Sequence, residues 1–532
     1  MDKNISIFSK TVIGIFCIIS LSGGESLKAE QDDNPIMRVG IVQRFGANPQ
    51  DRITIKAPSG DTLTLSFKSG ETTQTVTTSE VVLEINAQPL AQPIVEERIV
   101  LSNHRSFENA AASAFHWQEK GIATEIAQPK RWQVWAKRDI YDSSLLRQLL
   151  LFSLRIQGND LVQIERKTLS QKAIASWVVG NFRYNRDRLD ISSGRGIVEV
   201  NNRPYAGTLR LQPNAHHNYT LVNNVPLETY LRGVVPHEIG YDAPYPAVQA
   251  QAVLARTYIL ASRHRFVVDD YDLCATTQCQ VYQGLEGTSE VADRAIVDTR
   301  SRVLTFNNRV VDALYSSTTG GVTADYNDIW DGKPRPYLKS IVDAVNLSFD
   351  TNLSNEKNFR TFIARKDGFN EAGWHTFRWK KDGTLDEIKG TLQNFLRLSG
   401  DTQTRFNQIK QIQITERAAS GRVQEMEVET DTGKIKVRKD EIIDAFEPPD
   451  SLLFYIQPIY EENSNADSKA AKVIKGYSFI GGGLGHGVGM SQTGSYRLAR
   501  MGWSYDRILS FYYAGTQLQV VKPEFWLDKP LP

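Results

Sequence analysis

The sequence predicts an α+β protein with more than one domain. Between residues 37 and 100, short runs alternate apolar and polar residues, and Gly or Asp separates the runs, which is typical of antiparallel strands joined by turns. Further along the chain, helical segments with one apolar face recur between such strands. Because 532 residues exceed what one hydrophobic core usually organises, we expect two or three domains.

The first residues predict export from the cytoplasm. Lys3 and Lys10 flank an apolar run at residues 12–21, and Ala29 is a small residue that suits the cut, so we assign residues 1–29 to a signal peptide. An uncleaved anchor is the alternative, but the run is short for a membrane span. No other stretch is apolar enough to cross a membrane, so we expect an exported protein of the periplasm or cell wall.

The charge balance bears on the partner. The formal net charge is +1, which argues against nucleic acid as the main partner and is compatible with a polysaccharide.

The expected N-terminal region, residues 36–165, is β-rich and contains a small α/β module at about residues 107–158. Its pattern is a helix that stops at Gly121, two strands separated by Pro129, and a second helix that ends before Gly158. This order resembles the SPOR repeat, a small fold that binds bare glycan strands. A plain α/β accessory module is the alternative.

The central stretch surrounds one carboxylate, Glu238. Apolar residues precede it, and a turn rich in aromatic residues and proline follows. Such neighbours desolvate a carboxyl group and favour its neutral form, as a general acid near neutral pH requires. The alternative is a structural carboxylate bonded to backbone N–H groups. The text around it reads VPLETYLRGVVPHEI at residues 225–239, AVQAQAVLARTY at 247–258 and CQVYQG at 279–284.

Two more motifs follow in order, YSSTTGGVTA from residue 315 and GHGVGMSQTGSYRLARMGW from residue 485. Together the motifs resemble the SpoIID/LytB family of stage II sporulation protein D and the amidase enhancers. The resemblance covers roughly residues 206–518 and implies a SpoIID-type domain at 173–520 with a divergent insertion at about 343–470. It also implies that Glu238 is the catalytic acid.

The resemblance further implies which residues contact the substrate. We expect this role for six residues, each of which has a structural alternative as an ion pair, a turn or a core side chain: Arg256, Gln280, Tyr282, Ser317, Thr318 and His486.

Three residues, His264, Cys274 and Cys279, form an H-x9-C-x4-C pattern. Imidazole and thiolate are ligands that Zn²⁺ prefers, and some sporulation members of the family carry zinc near the matching cysteine. In an exported protein, a disulfide between Cys274 and Cys279 is the alternative.

The expected function is that of a peptidoglycan lytic transglycosylase, a lyase that cleaves MurNAc–GlcNAc bonds of peptide-stripped glycan strands and leaves 1,6-anhydro ends. Only one strong carboxylate candidate lies in the motif, with Asp242 as a near second, whereas glycoside hydrolases usually need two. The alternative is a non-catalytic amidase enhancer or glycan-binding protein that activates a cell-wall amidase.

Overall fold

The computed structural model describes residues 34–347, 352–401, 403–461, 473–522 and 525, and the expected signal peptide lies outside these ranges. Within them, no helix is both long enough and apolar enough to span a membrane.

Strands dominate the described chain as far as residue 226, with two helices between them. In order, the elements are β1 (Ile36–Phe45), β2 (Arg52–Lys56), β3 (Leu63–Ser69), β4 (Thr72–Thr78), β5 (Glu80–His104), α1 (Phe107–Glu119), β6 (Thr124–Ala127), β7 (Trp132–Ala136), α2 (Ser144–Ile156), β8 (Gln163–Val179), β9 (Phe182–Asn185), β10 (Leu189–Ser193), β11 (Ile197–Val200), β12 (Arg203–Ala206), β13 (Thr208–Pro213) and β14 (Tyr219–Pro226).

Helices and short strands alternate in the remainder. They are α3 (Leu227–Arg232), α4 (Val235–Ile239), α5 (Tyr245–Ser262), β15 (Leu273–Cys274), α6 (Glu290–Asp298), β16 (Arg302–Phe306), β17 (Arg309–Val310), β18 (Tyr315–Ser316), α7 (Tyr326–Ile329), α8 (Glu356–Ala364), β19 (Trp379–Thr384), α9 (Leu385–Ser399), β20 (Ile409–Arg417), β21 (Val423–Thr430), β22 (Lys434–Arg438), α10 (Glu441–Ala445), β23 (Phe454–Tyr460), β24 (Ile474–Gly481), β25 (Met490–Ser491), α11 (Gln492–Arg500), α12 (Tyr505–Tyr512) and β26 (Gln517–Val520).

One seven-stranded sheet joins the two regions that the sequence analysis separated. Its strand order is β15-β1-β14-β13-β10-β3-β4, so strands from before residue 165 lie beside strands from after residue 173. β1 pairs antiparallel with β14 and parallel with β15. The N-terminal strands are therefore part of the same sheet that leads into α3 and α4, rather than a separate unit.

The expected module has the β-α-β-β-α-β order of a split β-α-β fold. It consists of the end of β5, then α1, β6, β7, α2 and the start of β8, with strand order β8-β5-β7-β6 and antiparallel pairing throughout. The helices and strands that the pattern predicted are present. Whether the module binds glycan, as the SPOR resemblance implies, stays a prediction.

Both tryptophans of β7 are buried, whereas the alternation of a strand leads one to expect opposite environments. Trp132 packs between Phe107 of α1 and Phe266. Trp135 lies under the guanidinium groups of Arg98 and Arg138. Neither ring is free to stack on a sugar in this arrangement, because other parts of the chain cover both faces of the strand.

The stretch expected to be a divergent insertion, residues 343–470, contributes structure to the site. Two three-stranded sheets, β19-β24-β23 and β20-β21-β22, account for most of its strands. Helix α6 ends at Asp298, and the residues from Arg302 onward form β16, which pairs with β26.

Candidate functional site

Glu238 lies in α4, a single helical turn between α3 and α5. Its Oε1 accepts a 2.7 Å hydrogen bond from the backbone N–H of Val281. Burial raises the pKa of Glu238 to about 7, although hydrogen bonds from Val281, Tyr315 and Gln492 act to lower this pKa. A pKa close to neutral pH suits both donation and acceptance of a proton.

Behind the carboxyl, three neutral side chains form a hydrogen-bonded row. Gln280 donates from Nε2 to the Tyr315 hydroxyl at 3.1 Å and accepts at Oε1 from the Tyr230 hydroxyl at 3.2 Å. Burial raises the pKa of both tyrosines well above the usual range, so both remain protonated. The row fixes the hydroxyl of Tyr315 next to Glu238 without adding a charge.

Glu238 opens into a cavity of about 700 Å³, here called the Glu238 cleft. Several separate parts of the chain line it, among them the module around α1 and β7, β18 and the residue after it, α10 with its flanking residues, and the segment before β25. Ser317 and His486, two of the residues expected to contact substrate, are among the lining residues. Charged side chains of both signs line the cleft: Lys130 and Arg131, and Asp440, Asp444 and Asp450, of which Asp444 is paired with Arg131.

The comparisons with known proteins identify the part of the chain that holds Glu238. Residues 215–306 match the family model described as Stage II sporulation protein. The chain carries a SpoIID domain. Residues 324–489 match a second model, described as Domain of unknown function (DUF8618), which covers the whole stretch expected to be an insertion in the SpoIID domain, residues 343–470.

Relatives support the assignment to the SpoIID family. The chain is 28% identical to the amidase enhancer of Bacillus subtilis (strain 168) over 373 residues, which are 62% of this chain and 49% of the enhancer. It is 27% identical over 333 residues to stage II sporulation protein D of the same strain, covering 59% of this chain and 81% of that protein. The chain thus spans about half the length of the enhancer.

His486, in the glycine-rich motif, is a neutral member of the cleft. Its Nδ1 accepts a 3.0 Å hydrogen bond from the N–H of Val488, and its ring lies 5.0 Å from that of Trp330 between centroids. Burial lowers the pKa of His486 to about 4. With Nδ1 accepting, a neutral ring carries its proton on Nε2, where it can donate.

Gly489 is required nearby, because a Cβ there would stand 1.9 Å from the Leu314 carbonyl oxygen.

Four residues expected to contact substrate are buried in the SpoIID core instead. Arg256 is fully buried and binds both carboxylate oxygens of Glu228, at 2.7 and 2.8 Å. Tyr282 donates to Oδ1 of Asn223 at 2.8 Å. The others are Gln280, described above, and Thr318. We therefore correct their role to a structural or positioning one.

Thr318 holds the backbone directly before the glycine-rich motif that contains His486. Its hydroxyl oxygen accepts a 2.7 Å hydrogen bond from the N–H of Leu484 and lies 3.1 Å from the hydroxyl of Thr376. The side chain is buried, so it shapes the cleft wall without lining it. Ser317 is different, because it is half-buried and borders the cleft directly.

Two residues outside the SpoIID motifs hold the loop at 316–323, and the role of neither was predicted from the sequence. Glu371 accepts hydrogen bonds from the N–H groups of Thr319, Gly320 and Gly321. Arg422 donates to the carbonyls of Thr319 and Val322, each at 2.8 Å. The carboxylate of Glu371 thus accepts from N–H groups of the loop, and the guanidinium of Arg422 donates to its carbonyl groups. Nothing in the local sequence marks either residue.

Asp343 lies beside Glu371 and is buried too. Burial, and then the charge of Glu371, raise the pKa of Asp343 well above its usual range, so Asp343 is the protonated member of the pair. Its Oδ1 accepts from Tyr512 and Asn370, each at 2.8 Å. Two adjacent carboxyls can share a buried site when one of them is neutral.

The expected zinc ligands do not fit a metal site in this arrangement. Cys274 and Cys279 are joined by a disulfide, with Cα atoms 5.7 Å apart, so neither is available as a thiolate. His264 packs against Phe107, with ring centroids 5.1 Å apart, and burial lowers its pKa to about 4. In the part of the chain that the structure describes, no group of three or more His, Cys, Asp or Glu could hold a metal ion.

Proposed function

We propose that this protein is a lytic transglycosylase that cleaves MurNAc–GlcNAc bonds of peptidoglycan strands, with Glu238 as the catalytic acid and base. The observation that carries the proposal is a carboxyl of pKa about 7 that opens into a cleft of about 700 Å³. A carboxylic acid whose pKa lies near neutral pH can act in both directions of proton transfer.

In the proposed reaction, Glu238 donates its proton to the glycosidic oxygen while the bond from that oxygen to C1 of MurNAc breaks. The GlcNAc side leaves with a free hydroxyl. The Glu238 carboxylate then accepts the proton of the MurNAc 6-hydroxyl, whose oxygen bonds to C1 and closes the 1,6-anhydro ring. No water is consumed, Glu238 regains its proton, and the attack gains from being intramolecular.

The other carboxyls around the cleft favour a mechanism with a single catalytic carboxyl. Glu108 pairs with Arg265, Asp444 with Arg105 and Arg131, and Asp450 with Lys381. Carboxylates held by cations are poor bases for activating water.

Asp440 is the remaining case. Burial raises its pKa to about 7, but the side chain is almost completely buried and its Oδ1 accepts from Asn109 at 2.8 Å. Glu238 is therefore the carboxyl best placed to meet a sugar, whereas a hydrolase would need a second one facing the cleft.

The lining of the cleft suits a polysaccharide. The hydroxyls of Ser316 and Ser317, the neutral imidazole of His486 and the indole of Trp330 offer hydrogen bonds and one apolar surface. Lys130 suits the lactyl carboxylate that MurNAc carries once its peptide is removed. We therefore propose peptide-stripped strands as the preferred substrate, met outside the cytoplasm in the periplasm or cell wall.

A second function, non-catalytic enhancement of a cell-wall amidase, has its own support. The similarity to a protein named amidase enhancer extends over 62% of this chain. On this alternative, the Glu238 cleft holds glycan without cleaving it while the chain activates a partner hydrolase.

Incubation of the purified protein with peptide-stripped and intact glycan strands, followed by mass spectrometry, separates these functions. We expect 1,6-anhydro ends, formed faster from the stripped strands, and no product from Glu238→Gln. Reducing ends would identify a hydrolase. Absence of products, combined with faster cleavage by an added amidase, would select the enhancer.

A further inference from the structure

Helix α2 presents an unusually apolar face to solvent. Five of its large side chains are between 43% and 70% exposed: Leu145, Leu146, Leu149, Phe152 and Ile156. On the opposite side, Leu154 is buried and Arg147 is bonded to Glu97, which fixes the helix to β5. A contiguous apolar face of this kind on a surface helix indicates an interaction site.

The spacing of the exposed residues indicates what kind of surface fits them. Leu145, Leu149, Phe152 and Ile156 follow intervals of four, three and four residues. This spacing is the a/d pattern of a coiled-coil seam, a narrow stripe that packs against another helix. The helix begins at an N-cap, Ser143, whose side chain accepts from the N–H of Leu146, so the stripe is presented on a helix with a defined start.

We propose that α2 pairs with α2 of a second copy of this chain, antiparallel and around a two-fold axis. In this register Leu145 meets Ile156 of the second copy, and Leu149 meets its Phe152. A two-fold contact must be self-complementary, because the same patch serves both copies. A seam of large apolar residues with the bulkier Phe152 opposite Leu149 meets that condition.

Charges beside the seam are compatible with the same pairing. The helix contains two charged residues, Arg147 and Arg155, and Arg147 is turned inward to Glu97. In the antiparallel register Arg155 lies opposite Gln148 of the second copy, so no like charges meet.

The area is that of a weak, reversible dimer. If each of the five side chains loses roughly 60–120 Å² of water contact, the two copies bury roughly 600–1,200 Å², which is at or below the low end of stable specific interfaces (about 1,200 Å²) and within the range of weak, transient contacts. We therefore expect a weak, reversible monomer–dimer equilibrium. A lipid surface is the other apolar occupant to test. Arg155 distinguishes a lipid surface from a second copy of the chain, because its positive charge would contribute to binding lipid headgroups but is not needed for pairing with α2.

Sedimentation velocity of the purified protein over a range of concentrations tests the proposal. We expect reversible dimerisation, weakened by at least about tenfold in Leu149→Glu, with an unchanged thermal unfolding midpoint because the side chain is already exposed. Arg155→Glu should dimerise like the wild type. A monomer at all concentrations, or a dimer that Leu149→Glu leaves intact, would overturn the proposal.

Cross-linking tests the register. A mixture of Leu145→Cys and Ile156→Cys proteins should form a disulfide-linked dimer under mild oxidation. Leu145→Cys alone should not, since the two copies of residue 145 would lie about 16 Å apart along the helices at 1.5 Å per residue. Equal linking in both samples would contradict the antiparallel register. Binding of the monomer to phosphatidylglycerol vesicles, lost in both Leu149→Glu and Arg155→Glu, would replace the dimer with a lipid surface.

Discussion

The backbone N–H of Val281 donates a 2.7 Å hydrogen bond to Oε1 of Glu238, joining two motifs that are 43 residues apart. The bond orients the carboxyl while burial keeps its pKa near 7. The bond also links the geometry of the site to the CQVYQG segment, whose cysteine, Cys279, belongs to the disulfide.

Replacement of Glu238 by Gln should abolish cleavage and preserve the fold. The amide can still accept from Val281 but delivers no proton, and loss of a general acid usually costs about 10²–10⁴-fold in rate. Turnover on peptide-stripped strands measures the effect. Asp242→Asn is the matched control, because Asp242 is an exposed carboxylate close to Glu238 in sequence. Equal losses in both variants would contradict the assignment.

The pH dependence of cleavage should follow the protonation of Glu238. Because the acid must begin protonated and its pKa is about 7, the rate should fall about tenfold per unit as the pH rises well above 7. A rate profile between pH 5 and 9 measures this. A rate that already falls about tenfold per unit from about pH 5 upward would point to a carboxyl of ordinary pKa.

The same pKa predicts a change in stability. A carboxyl whose pKa rises from 4.5 to about 7 on folding favours the folded state below pH 4.5, and this contribution is lost as the pH passes 7. At pH 8, Glu238→Gln should therefore exceed the wild type in free energy of unfolding, by up to about 3 kcal/mol. The two denaturation curves should converge near pH 4.5, and a constant difference across the range would contradict the linkage.

Tyr315→Phe should move the pH profile toward alkaline values. The Tyr315 hydroxyl hydrogen bond lowers the pKa of Glu238, so its removal raises that pKa further. A merely structural role would reduce the rate without moving the midpoint. Tyr245→Phe is the control, since Tyr245 bonds to Asp298 on the surface.

Several parts of this site could be predicted from the sequence because motif order reflects shared geometry. Glu238, Ser317 and His486 do line one cleft. Arg256 and Tyr282 were misassigned, because a motif does not tell whether a polar side chain faces substrate or a partner in the core. Glu371 and Arg422 could not be predicted from the sequence. Each is buried because it bonds to the loop at 316–323, which lies 50 to 103 residues away in the chain, so nothing in the local sequence indicates its role.

The cysteines should be isolated as a disulfide without zinc. The intact mass should lie two hydrogens below that of the reduced protein, and elemental analysis should find no stoichiometric metal. Removing a short disulfide loop by Cys279→Ser should lower the free energy of unfolding by about 2 kcal/mol, an effect that reductant reproduces in the wild type. One zinc per chain, lost in Cys274→Ser, would instead restore the metal interpretation.

Glu371→Ala should destabilise the protein by at least about 3 kcal/mol, because it leaves several buried N–H groups without an acceptor. Urea denaturation measures the loss. Glu387→Ala provides the comparison: it removes the capping box of α9 at an exposed site and should cost about 1 kcal/mol. Similar losses in both would show that the loop at 316–323 does not depend on Glu371.

The pairing of β1 with β14 and β15 has a consequence for synthesis on the ribosome. β1 must wait until residues 219–226 and 273–274 have been made before both of its neighbours in the sheet exist. During that interval its apolar residues Met37 and Val39, fully buried in the finished protein, are exposed to other chains. A shortened chain that begins at residue 173 would leave β14 with an open edge, which invites aggregation. The SpoIID domain of this protein is thus best produced together with its N-terminal strands.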